Sequence, residues 1–243
     1  MTRSFGIVED KLREADFFLG KLCRSPRLSA DARYYLSAFI SSSRTVTLSM
    51  QACLGGLEEF DSWYKGVSDR LKTDHLAKYF LKTRNESTHV GVNPLNHVPH
   101  EHLREHITQQ LKNRSHSHVL VIPSQDDPAS TEIINAVEAC EKYFVTLVTV
   151  VFECYETFKT LIDPKWYLTE ENFRLHGKSF VDAVVEQGFP TIWASYIPEG
   201  ADGWEILRSQ EPCCLINDIF IKYLGCCINA PASLAVLPKR ESI

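Results

Sequence analysis

The chain has 243 residues, 44% apolar and 23% charged, with a net charge of −5. That is the composition of a soluble globular protein able to bury its own core without disulfides or metal. No apolar run reaches the roughly 18–20 residues of a spanning helix, and Tyr143–Phe152, the nearest, is flanked by Glu141, Lys142 and Glu153. The first residues lack the apolar stretch of a signal peptide, so a cytoplasmic location without membrane attachment is expected. The charge is uneven, +3 over residues 1–90 and −8 over residues 91–243. This excludes a general nucleic-acid binder on charge and leaves the N-terminal part permissive for a phosphate-bearing partner.

The first helix is expected from Val8 to about Cys23, with Val8, Leu12, Ala15, Leu19 and Leu22 in four-three alternation as one apolar stripe. Ser25-Pro26 breaks it. A second helix starts near Ser29, carries Ala32, Leu36, Phe39, Ser43, Val46, Met50 and Cys53 in the same alternation, and stops at Gly55-Gly56. Arg44 lies on it, a charge among small and apolar neighbours. As a substrate-binding residue it would face the same site as Arg84; as an ordinary arginine it would snorkel to the surface.

Phe60–Tyr64 reads as a short aromatic turn. A third helix is expected from Ser68, capped by Ser68-Asp69, to about Arg84, with Gly91, Asn93 and Pro94 stopping any helix soon after. Residues 92–130 form an irregular insert that holds most of the histidines, with a short β element at Val119–Ile122. The longest helix runs from about Ser130 to Ile162, its stripe passing through Ile133, Val137, Cys140, Phe144, Leu147, Val151, Tyr155, Phe158 and Ile162. A further helix spans Thr169 to about Gln187, and a last one lies near Cys213–Leu224, ending at Gly225. The expected architecture is all-α: an antiparallel four-helix bundle over residues 1–163 with the insert 92–130, and a helical C-terminal appendage over residues 164–243.

The segment Arg84-Asn85-Glu86-Ser87-Thr88-His89 carries the chemistry. An arginine offers phosphate oxygens a planar fork of fixed charge, and a histidine exchanges a proton near neutral pH. Together they can cleave RNA without metal, with the ribose 2′-hydroxyl attacking its own phosphorus. Asn85 can orient either group. Residues five apart on an ideal helix lie about 140° apart, so either the helix breaks between Arg84 and His89 or a second copy completes the site across a two-fold axis. The plain alternative is a helix end capped by Arg84 and Asn85, with His89 bonded to a neighbouring helix.

An all-α bundle in which an arginine is followed directly by a polar residue, with four residues in all separating it from a histidine, resembles the HEPN superfamily. The resemblance covers about residues 7–162. It implies a homodimer whose two motifs share a cleft, acting either as a metal-independent endoribonuclease of toxin, defence or RNA-processing type or as a dimerisation or nucleotide-binding module without cleavage. It further implies that Arg84 contacts the scissile phosphate, that His89 moves the proton with support from Asn85, that RNA is the substrate, and that an antitoxin or regulatory partner exists. Gly91 stands where members paired with a nucleotidyltransferase antitoxin often carry tyrosine, so that mode of regulation is not implied.

No cofactor is expected. The eight cysteines lack the Cys-x-x-Cys spacing of a zinc knuckle and are expected as reduced, structural thiols. His97, His100, His102 and His106 offer an alternative, with His102 and His106 on one helix face as a divalent-metal pair. Trp166, Tyr167, Trp193, Tyr196 and Trp204 offer another, an aromatic surface of a non-enzymatic interaction protein or, more plainly, an internal core.

Overall fold

A computed structural model describes residues 5–26, 30–91, 95, 119–123, 131–210 and 216–228. The described chain is mostly helical, with one two-stranded sheet. In order it forms α1 (Gly6–Cys23), α2 (Ala30–Leu54), α3 (Glu58–Thr73), α4 (His75–Val90), β1 (Val119–Pro123), β2 (Thr131–Asn135), α5 (Ala136–Ile162), α6 (Pro164–Tyr167), α7 (Glu170–Leu175), α8 (Phe180–Glu186), a 3-10 helix (Thr191–Tyr196), α9 (Gly203–Ser209) and α10 (Asn217–Leu224). No helix of the described residues is long and apolar enough to cross a membrane. The chain divides into two compact units, residues 10–149 and residues 1–9 with 150–243. The boundary expected at 163/164 falls inside the second of these.

In the unit of residues 10–149, the apolar stripes are buried as their spacing requires. Leu12, Ala15, Leu19 and Leu22 of α1 and Ala32, Leu36, Phe39, Val46 and Met50 of α2 are all buried. Phe39 is the hub, edge-on to Phe80 at 6.2 Å, Phe144 at 6.1 Å and Tyr143 at 6.5 Å. Phe80 stacks on Tyr143 at 4.8 Å. Such pairs add to the area they bury, because the edge of one ring meets the electron-rich face of another.

The third helix expected over Ser68–Arg84 is in fact two. The cap at Ser68-Asp69 does not exist; α3 runs through it, beginning at Glu58 and absorbing the Phe60–Tyr64 turn. The break comes at Asp74, extended at φ −68 and ψ 126, which closes α3 and opens α4. Its N–H donates to the Arg70 carbonyl at 3.1 Å, and its carboxylate accepts from the Ala77 N–H at 2.7 Å. One residue thereby satisfies groups left open at two helix ends. The helix past the break runs six residues further than expected and ends at Gly91 in the left-handed conformation, φ 75, whose N–H donates to Ser87 O at 3.2 Å.

The start of the longest helix also shifts. Thr131–Asn135, expected as its first turn, is β2 and pairs antiparallel with β1 in the register Val119↔Asn135 to Pro123↔Thr131. Asn135 makes the switch: its side-chain oxygen accepts from the N–H groups of Val137 at 2.9 Å and Glu138 at 3.1 Å, an N-cap that opens α5 one residue on. From there the stripe is buried as expected, from Val137 and Cys140 to Phe158 and Ile162. None of the described cysteines forms a disulfide.

In the other unit, Phe5 packs edge-on to Tyr155 at 6.3 Å, and Tyr155 donates its hydroxyl to the buried Asp163 carboxylate. Asp163 also caps α6 by accepting from the Lys165 N–H at 2.8 Å. The helix expected over Thr169–Gln187 is split at Gly177, φ 66, and restarted by a capping box between Ser179 and Asp182. Leu168, Phe173, Ala183, Val184 and Leu207 then form a buried cluster under Tyr167, Trp193 and Trp204. Trp166 and Tyr196 are exposed.

Candidate functional site

Arg84, Asn85 and His89 lie on the last two turns of α4, which does not break between them. Taking each residue as about 100° of turn, Asn85 sits about 40° from His89 and Arg84 about 140° from it. Asn85 and His89 are both exposed and Arg84 is half-buried. The arginine is long enough to come round the helix: its Nη1 donates to Asn85 Oδ1 at 3.3 Å. Asn85 is therefore the bridge of the group, sharing a face with the histidine and a hydrogen bond with the arginine. His89 falls in the last turn, at the carbonyl end of the helix.

Behind this face the helix is anchored by buried groups. Thr83 is buried and bonded to Tyr79, whose hydroxyl burial pushes up to about 12 despite that bond, so it stays a proton donor across the physiological range. Burial likewise raises the Cys140 thiol, which makes it an inert packing group rather than a nucleophile.

Arg44 does not join the group by any described bond. It is half-buried on α2, and its Nη1 donates to Thr47 Oγ1 at 2.8 Å on the same helix. Its charge is felt by the Tyr143 hydroxyl, which burial pushes up and Arg44 pulls partly back.

His97, His100, His102 and His106 lie outside the described residues, and so do Cys213 and Cys214. Among the described residues no group of three or more His, Cys, Asp or Glu is placed to hold a metal ion.

Ending the helix near Arg84 hid one feature. With α4 continuous to Val90, Lys78, Lys82, Asn85 and His89 fall within about 60° of one another on the wheel, and all four are exposed. Lys82 is 3.8 Å from Glu86, an open ion pair between side chains 71% and 45% accessible. Leu81 flanks the ridge and is exposed. The signal for this ridge was in the sequence, as spacings of four, three and four, and became legible once Gly91 was taken as the stop.

No protein-family model, curated protein or solved structure matches the chain.

Proposed function

We propose that the chain is a HEPN-like homodimer, an antiparallel four-helix bundle with a helical appendage, that cleaves RNA without metal through Arg84, Asn85 and His89. The observation that carries this reading is the gathering of the three side chains at the exposed end of one helix, with Asn85 linking the arginine to the histidine face. In the reaction, His89 as the neutral imidazole takes the proton of a ribose 2′-hydroxyl. The freed oxygen bonds to the adjacent phosphorus, the bond from phosphorus to the 5′-oxygen breaks, and the leaving oxygen takes a proton. The products are a 2′,3′-cyclic phosphate and a 5′-hydroxyl. The Arg84 guanidinium stabilises the extra negative charge on phosphorus. One imidazole cannot stand on both sides of the phosphorus, and the about 140° between Arg84 and His89 keeps one copy from surrounding it. The His89 of a second copy is the natural source of the other proton. Arg44, bonded on α2, has no step in this scheme.

The alternative, a HEPN-like dimerisation or nucleotide- and RNA-binding module without cleavage, is favoured by a different observation. His89 is exposed in the last turn of α4, and no described bond ties it to Arg84. The deciding experiment incubates purified protein with RNA in EDTA and compares wild type, Arg84→Ala and His89→Ala, with mass from light scattering. Cleavage by wild type, lost in both variants with dimers intact, is the expected result. A dimer that binds RNA and leaves it whole selects the module. A monomer that neither binds nor cleaves overturns both. An antitoxin or regulatory partner would bind over the same end of α4 and would be recovered by wild type with loss of cleavage.

A further inference from the structure

Resting on the nuclease reading, we propose that Lys78, Lys82, Asn85 and His89 form a track along α4 that carries the backbone of single-stranded RNA to the Arg84–His89 end. The ridge is straight, spans about 16 Å at 1.5 Å per residue, and contains no acidic side chain; Glu86 stands beside it. Lysine is a compact cation that binds phosphate as a point charge. The Lys82–Glu86 contact, 3.8 Å and open to water, is too weak to hold the ammonium against a phosphate. Leu81, 43% exposed and about 40° from Asn85 around the helix, adds an apolar surface along the ridge. The ridge begins with two cations and ends with an amide and a histidine, which gives it a direction, charge to collect the strand and polar groups to act on it. It also offers phosphates a local site on a chain whose overall charge is negative, since two exposed cations stand on one line with no carboxylate between them.

The track is tested with a 2′-O-methyl RNA oligonucleotide, which lacks the attacking hydroxyl and so reports binding alone. Anisotropy is followed across a salt series for two unrelated sequences. Removing two phosphate contacts should lower the slope of log K against log salt by about 1.4, at about 0.7 per contact for single strands. Lys78→Gln/Lys82→Gln is expected to show that change equally for both sequences. Glu86→Gln, which releases Lys82, is expected to tighten binding. Lys142→Gln, an exposed lysine of α5 paired with Glu138 at 3.0 Å, is expected to keep the wild-type slope. An unchanged slope in the double variant, an equal loss in Lys142→Gln, or no binding by wild type overturns the track. Cleavage of the unmodified RNA is measured separately. Lysine-dependent binding without cleavage overturns the nuclease reading alone, and cleavage with an unchanged slope overturns the track alone.

Discussion

Replacing Gly91 by alanine tests whether α4 ends where the site needs it to. Gly91 is left-handed at φ 75 and returns its N–H to Ser87. A Cβ built there meets nothing within 4 Å, so no clash contributes and the cost is conformational alone. For an L-residue that cost is about 1–2 kcal/mol. With a urea m-value of about 3 kcal/mol per M, the unfolding midpoint should fall by about 0.3–0.7 M with m unchanged. Asparagine tolerates the left-handed region better, so Gly91→Asn should fall between wild type and Gly91→Ala. The damage should also be local: the last turn frays, and the Gly91 amide loses hydrogen-exchange protection along with the turn that carries His89. The reasoning fails if Gly91→Ala unfolds at the wild-type midpoint, or if asparagine and alanine cost the same.

Other outcomes follow from the capping and the buried polar pairs. Tyr155→Phe keeps the ring but takes the hydroxyl from the buried Asp163, which retains the Lys165 N–H; it should cost about 1–3 kcal/mol in thermal or urea unfolding. Asn135→Ala removes the cap that separates β2 from α5 and should cost about 1 kcal/mol. Its full-size effect on unfolding, with loss of amide protection at Val137 and Glu138, is the check. Glu186 is pushed down to about 2: burial works against ionisation, but bonds from Lys178 and the Tyr167 hydroxyl outweigh it. Because its folded value lies below the ordinary 4.5, its contribution is whole above that pH and is lost as pH falls toward 2. The gap in unfolding midpoint between wild type and Glu186→Gln should therefore close as pH falls from 4.5 toward 2, and a gap constant over that window would remove the ion pair as its cause.

The helices that were legible in sequence are those whose signal is redundant. α1 and α2 repeat one apolar spacing over several turns and end at Pro or Gly, so no single residue decides them. The joint at Asp74 was hidden because helical spacing carries across it: Leu71, His75 and Tyr79, four residues apart, look like one continuing face, and only an aspartate followed three residues later by Ala77 marks the cap. β2 was hidden in a similar way, since Ile133 falls in phase with the stripe of α5. The β-branched content of Thr131–Ile134 was there to be read, but a strand declares itself by its partner, and pairing with β1 is a contact between distant residues. The site was half legible. Arg84, Asn85 and His89 could be named from chemistry, while their angular arrangement depended on where α4 ends. The bond from Arg84 to Asn85, which brings the arginine round the helix, depends on a rotamer that spacing does not encode.

The junction at Asp74 has a consequence for how this protein can change over time. Most helix pairs are joined by loops that absorb insertions and deletions, so their lengths drift freely. Here one residue ends α3 and begins α4, and no slack exists between them. One residue gained or lost near the joint would turn α4 by about 100° about its axis, swinging Asn85 and His89 away from where they now point while leaving every helix formed. Composition along α3 and α4 is free to vary at exposed positions off the Lys78–His89 ridge; register is not. The two helices behave as a shaft and its key, in which the number of residues, more than their identity, sets the direction the site faces.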